Sequence, residues 1–212
     1  MTPRREIAWY FDVISPFAYL ALPRVLALAE TRPVAMRPVL FGALLAKWGQ
    51  LGPAEIAPKR LQTYRMVQFQ AAQSGLRFRF PPRHPFRSLD AMRLLTALDA
   101  PVQAVRIVFD FVWGEGRDPG AERDALATRL GIADADALLA RSGAKDRLRF
   151  ATEDAAEAGV FGVPTLAIGR ELFWGADAMP MAEAFLADPD LFNSPEMARL
   201  KALPVGVERS RK

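Results

Sequence analysis

Phe11-Asp12-Val13-Ile14-Ser15-Pro16-Phe17-Ala18-Tyr19-Leu20 holds the end of one regular element and the start of the next. Just upstream, Ile7-Ala8-Trp9-Tyr10-Phe11 is a short apolar, aromatic-rich run that favours a buried strand, and Asp12 closes it. Downstream, Phe17, Leu20, Ala21, Val25 and Leu28 recur with helical period. Ser15 stands where an N-cap oxygen is needed, and Pro16 where a helix loses nothing by lacking an N–H. After Pro33, residues 34–41 form a second strand-like run. Strand, helix and strand in such close succession make a βαβ unit, which requires parallel pairing and a right-handed crossover.

From Gly42 to about Gly143 the helical period dominates. Helices are expected over residues 56–75, 89–98, 102–113, 122–130 and 134–141, separated by breakers such as Pro81-Pro82, Pro101 and Pro119-Gly120. Ser142 is expected to cap a further helix over 144–158, which Gly159 stops. Leu166-Ala167-Ile168 and Glu171-Leu172-Phe173-Trp174, joined through Gly169-Arg170, read as a β-hairpin, and a helix follows from Asp177 toward Leu186. The order βαβ, helices, αββα is that of an α/β chain with a thioredoxin-like fold carrying an inserted α-helical domain. The expected division is 1–42 with 143–190 for the thioredoxin-like part, 43–142 for the insertion and 191–212 for a C-terminal extension. That extension is expected to be a peripheral helix with a frayed basic end.

Composition narrows the chemistry. The chain has 212 residues, of which 51% are hydrophobic, enough to bury a core without covalent staples. It contains no Cys, so disulfides, thiolate nucleophiles and cysteine–metal sites are excluded. A single histidine, His84, rules out a His-based zinc site and disfavours a Ser/His/Asp triad, so no metal is expected. The net charge of +4 suits an anionic small molecule and gives no strong case for nucleic acid. No leader and no apolar run of membrane-spanning length is visible, so no membrane partner and a cytoplasmic location are expected.

Three constellations could carry function. Ser15 at a helix start would sit beside free N–H groups and the positive end of the helix dipole, where a thiolate is stabilised; on this segment alone an ordinary N-cap is the simpler reading. In Gly159-Val160-Phe161-Gly162-Val163-Pro164-Thr165, a proline between a helix stop and a strand start is a candidate cis-Pro. In a thioredoxin-like fold this loop faces the first helix and offers the Val163 backbone to a peptide-like ligand, although an unpartnered edge proline would look the same. Leu172-Phe173-Trp174-Gly175-Ala176-Asp177 brings a carboxylate and open N–H groups together, suited to a zwitterion, or again to a simple cap.

Taken in order, these segments resemble the 2-hydroxychromene-2-carboxylate isomerases, relatives of kappa-class glutathione transferases and DsbA-like oxidoreductases. The resemblance spans nearly the whole chain. It runs through Phe11 to Leu20, Gly52-Pro53-Ala54-Glu55-Ile56 to Lys59-Arg60, Ser88-Leu89 with Ala91-Met92-Arg93, Glu115-Gly116-Arg117-Asp118, the Val160 to Thr165 loop and the Phe173 to Asp177 corner.

The resemblance implies glutathione as cofactor, with Ser15 activating its sulfur and the Val163-Pro164 turn clamping the cysteinyl unit. Trp174, Gly175, Ala176 and Asp177 would hold the γ-glutamyl end, and Lys59 the glycyl end. It further implies a small aromatic carboxylate substrate near Phe17, Gln50 and Phe86, with Arg83 and Arg87 as carboxylate holders, and a homodimer. A solvated basic face is the alternative for Arg77, Arg79, Arg83 and Arg87. The family usually has Asn where this chain has Gln50 and Arg87, both on the side of the second substrate. Two other activities fit the same segments: a kappa-like transferase or peroxidase that consumes glutathione, and a non-catalytic thiol- or peptide-binding module.

Overall fold

The computed structural model describes residues 5–207; the expected basic end at Arg209-Ser210-Arg211-Lys212 lies outside them. A four-stranded sheet in the order β2-β1-β3-β4 forms the centre, built from β1 (Ile7–Phe11), β2 (Ala35–Pro38), β3 (Thr165–Ile168) and β4 (Glu171–Trp174). β1 and β2 are parallel, as the crossover through α1 (Pro16–Thr31) requires, while β3 runs antiparallel to β1 and β4 antiparallel to β3. The register pairs Tyr10 with Thr165 and Thr165 with Trp174. The exit of β1, the entry of β3 and the exit of β4 therefore meet at one end of the sheet. That row brings Ser15 against the Val163-Pro164 turn and Gly175 against the other side of the same turn.

The helical block between β2 and β3 contains α2 (Phe41–Trp48), α3 (Ala57–Gln73), α4 (Leu89–Ala97), α5 (Val102–Phe109), α6 (Arg123–Arg129) and α7 (Ala135–Ser142). Next come α8 (Ala144–Glu157), the hairpin, a 3-10 turn at Ala176–Ala178, α9 (Met179–Ala187) and α10 (Pro195–Leu200). One buried cluster joins Trp9, Phe11, Tyr19, Leu22 and Val25 to Met92, Leu95, Val105, Phe109 and Trp113. The sheet face, α1 and the inserted helices thus share a core. Trp9 and Phe11 stack at 4.6 Å between centroids, with Phe109 tilted against both. Each such fully buried side chain contributes about 1.5–3 kcal/mol.

Four local expectations change. The second strand stops at Pro38, because Leu40 precedes a helix (α2) that begins at Phe41, and the Phe41 N–H donates to Asp12 Oδ2 at 3.0 Å. Ser142 closes α7 and does not cap α8. Gly143, with φ +61°, separates the two helices, although the Ser142 hydroxyl still accepts the Ala144 N–H at 3.2 Å. The helix expected to run to Trp113 leaves α geometry at Asp110 and makes a π turn over Asp110–Gly114. The helix expected from Asp177 begins at Met179, after the 3-10 turn. Among the described residues no helix is long and apolar enough to cross a membrane, and no acidic or histidine cluster could hold a metal ion.

Candidate active site

Ser15 is the N-cap of α1. Its hydroxyl oxygen accepts the Ala18 N–H at 3.3 Å while its proton points at the Val163 carbonyl, also 3.3 Å away. The Val163-Pro164 bond is cis, as the sequence suggested, and the turn it shapes faces the helix start. Ser15 is 6% exposed and Val163 5%. The Phe17 N–H in the first turn and the Val163 N–H donate to no group among the described residues. The Ser15 hydroxyl thus stands at the positive end of a 16-residue helix, in contact with the proline turn, with unused donors on both neighbouring segments.

The turn that presents Ser15 is held at the N–H and carbonyl groups of Val13 and Ile14 and at the Ser15 N–H. The Ser15 N–H donates to the Asp12 carbonyl at 3.0 Å and the Ile14 N–H to Asp12 Oδ1 at 3.0 Å. The Val13 N–H reaches Met92 Sδ at 3.4 Å, and the Val13 carbonyl accepts the Trp113 Nε1–H at 2.8 Å. The Ile14 carbonyl faces His84 Nε2 at 2.9 Å. Asp12 is 2% exposed, and its burial pushes the carboxyl above the usual carboxylate range despite hydrogen bonds from the Ile14 and Phe41 N–H groups and from the Ser88 hydroxyl. His84 moves the other way: burial lowers its pKa, and the contact with Ile14 offsets part of that.

At the far side of the proline turn, the Gly175 N–H donates to the Pro164 carbonyl at 2.8 Å. Gly175 has φ +98°, and a Cβ there would run into the Asp177 carboxylate, which folds back over it. Trp174 is 54% exposed, packs edge-on against Phe161 and leaves only 2.5 Å between its Nε1 and a Cβ at Gly162. Two glycines thus let the indole and the carboxylate lie close to the backbone. The Ala176 and Asp177 N–H groups have no acceptor among the described residues.

The expected substrate residues are less unified. Phe17 is half-buried beside Ser15, and Phe86 is buried against Trp113 and His84 with ring centroids 5.9 Å away in each case. Arg83 is already engaged, its Nε 3.1 Å from Asp118. Burial works against ionised Asp118, yet the Ala121 and Gly120 N–H groups and Arg83 together hold its carboxyl below the ordinary range. Arg87, Gln50 and Lys59 are exposed and form no ion pair or side-chain hydrogen bond among the described residues. Two cavities of about 450 and 420 Å³, one at Asp90 and Gly120 to Ala125 and the other between Arg5, Phe185 and Lys201, include none of the expected site residues.

Reasoning from sequence missed Asp12, Tyr64, His84 and Trp113. Asp12 was legible as the acid closing β1, but its reach to Phe41 was not. His84 stands out only as the lone histidine between two prolines.

Comparison with known proteins extends this geometry. The family model of the DSBA-like thioredoxin domain matches residues 6–187. A 2-hydroxychromene-2-carboxylate isomerase of Pseudomonas putida is 32% identical over 188 residues, covering 84% of this chain and 92% of that protein. A solved 2-hydroxychromene-2-carboxylate isomerase superposes with TM-score 0.72 at 28% identity, covering 92% of this chain and 97% of that one. A glutathione S-transferase kappa 2 of Caenorhabditis elegans is 25% identical over 214 residues, covering 89% and 95%.

Proposed function

Because the chain belongs to the DSBA-like thioredoxin domain family and, within it, to the 2-hydroxychromene-2-carboxylate isomerases, we propose that it is a glutathione-dependent isomerase of chromene-type aromatic carboxylates. The observation that carries this is the Ser15 hydroxyl, set at the tip of α1 and directed at the cis-Pro turn. Without cysteine the protein has no thiol for disulfide exchange. The same position can hold the sulfur of a bound thiol, which then replaces the Val163 carbonyl as acceptor of the Ser15 proton. The unused N–H groups of Phe17 and Val163 suit a thiolate and a cysteinyl carbonyl, respectively. Asp177 with the free N–H groups of Ala176 and Asp177 suits the ammonium and carboxylate of a γ-glutamyl end, and Lys59 the glycyl carboxylate. The kinship with a kappa-class glutathione transferase supports this choice of thiol.

In this reading the thiolate adds to the conjugated system of the substrate, the ring opens, and the former double bond becomes a single bond that rotates. Elimination of the thiol restores the double bond in the trans geometry of an o-hydroxybenzylidenepyruvate and returns glutathione unchanged. Arg87, which forms no ion pair among the described residues, is the more available cation for the substrate carboxylate, since Arg83 is shared with Asp118. The test is product analysis with glutathione far below substrate concentration. Many turnovers at a constant thiol pool support the isomerase, and one thiol consumed per product supports a kappa-like transferase. Absence of glutathione binding at millimolar concentration would leave a peptide-binding module.

A further inference from the structure

His84 is the one histidine of the chain, and the isomerisation outlined above gives it no part. Its ring is enclosed by Tyr64, Phe80, Phe86 and Trp113, with centroids 5.3, 6.3, 5.9 and 5.4 Å away in edge-on orientations. It forms no ion pair among the described residues, so the polar contacts at its two nitrogens define its state. Nε2 lies 2.9 Å from the Ile14 carbonyl, which can only accept, so Nε2 carries a proton. Nδ1 lies 2.9 Å from the Tyr64 hydroxyl, which can donate to it. The Tyr64 oxygen is also 2.6 Å from the carbonyl of His84 itself, a second acceptor for the same proton.

These contacts bear on one peptide plane. The Ile14–Ser15 peptide is held at its N–H by the Asp12 carbonyl and at its oxygen by His84. Turning that plane would swing the Cα–Cβ bond of Ser15, and with it the hydroxyl now aimed between the Ala18 N–H and the Val163 carbonyl. We propose that His84 is a positioning residue for Ser15: its Nε2–H, donated to the Ile14 carbonyl, fixes the Ile14–Ser15 peptide and so the direction of the Ser15 hydroxyl. Its consequence for catalysis rests on the isomerase reading; its effect on the Ser15 backbone does not.

The experiment compares wild type with His84→Phe, which fills the aromatic enclosure without a donor, and His84→Gln, whose amide N–H can reach Ile14. Without ligand, ¹⁵N NMR of the sole imidazole is expected to show the Nε2–H tautomer at neutral pH. The Ser15 amide resonance is expected to shift in His84→Phe and to return toward its wild-type position in His84→Gln. With glutathione and substrate, kcat is expected to fall by about ten- to a hundredfold in His84→Phe, as displacement of a reacting group does, with recovery in His84→Gln. An Nδ1–H tautomer, or a Ser15 amide indifferent to both substitutions, overturns the proposal. Should wild type fail to bind glutathione, the isomerase reading falls, while the ligand-free spectra still decide the role of His84.

Discussion

Replacing Ser15 with Ala removes the hydroxyl and leaves α1 in place. A free cysteinyl thiol ionises with a pKa of about 8.5. A hydrogen bond from Ser15 to the bound thiolate is worth about 1.5–3 kcal/mol, and the end of the α1 dipole about 0.3–1 kcal/mol. At about 1.4 kcal/mol per unit, the pair lowers the pKa to about 6.5, and the dipole alone to about 8. The thiolate fraction at pH 7 then falls from about three quarters to about a tenth when the hydroxyl is lost. The same substitution strips the cap from the Ala18 N–H, costing about 1 kcal/mol of stability, so the comparison belongs well below the unfolding temperature. The assay is a pH titration of thiolate absorbance for glutathione bound to each protein, with kcat followed in parallel. A bound thiol that ionises at the same pH in Ser15→Ala as in wild type would mean that the Ser15 hydroxyl does not stabilise the thiolate.

Other substitutions separate the parts of the site. Asp12 has a folded pKa raised by burial, so the folded state holds its proton where the unfolded chain has released it. Its contribution is fully present below the unfolded value and is lost as pH rises through the folded one; thermal melts of Asp12→Asn should lack that downward slope. Asn also sets an N–H against a backbone N–H, so the variant is expected to be about 1–3 kcal/mol less stable at pH 7. Gly175→Ala forces a side chain into a left-handed backbone and against Asp177, and is expected to weaken glutathione binding several-fold by calorimetry while kcat at saturation changes little. Arg87→Ala is expected to raise KM for the aromatic carboxylate by about tenfold through loss of one charged contact. Arg83→Ala instead releases Asp118, whose depressed pKa gives stability present above the unfolded value and lost as pH falls. That variant is expected to unfold at higher pH in acid titrations, with a smaller change in KM.

The parts of the fold and site that were legible in sequence are those written in short-range chemistry. Ser15-Pro16 announces a helix start, Gly159 and Pro164 bracket a turn, and Gly169-Arg170 joins a hairpin, each within a few residues. The helix α2 was not legible, since Phe41-Gly42-Ala43 continues an apolar run after a strand; what starts the helix there is a carboxyl oxygen of Asp12. The hold on the Ser15 turn was hidden for the same reason. Met92, Trp113 and His84 reach Val13 and Ile14 from positions 79, 100 and 70 residues away in sequence, and no local pattern records such contacts. Arg83 read as a free cation because its partner Asp118 is also distant.

A crystal structure of the protein with glutathione examines the account most directly. The sulfur is expected within hydrogen-bond distance of Ser15 Oγ, at about 3.0–3.5 Å, with the cysteinyl backbone paired to Val163 and the γ-glutamyl end at Asp177. Glutathione seated elsewhere, or with its sulfur turned away from the tip of α1, would contradict it.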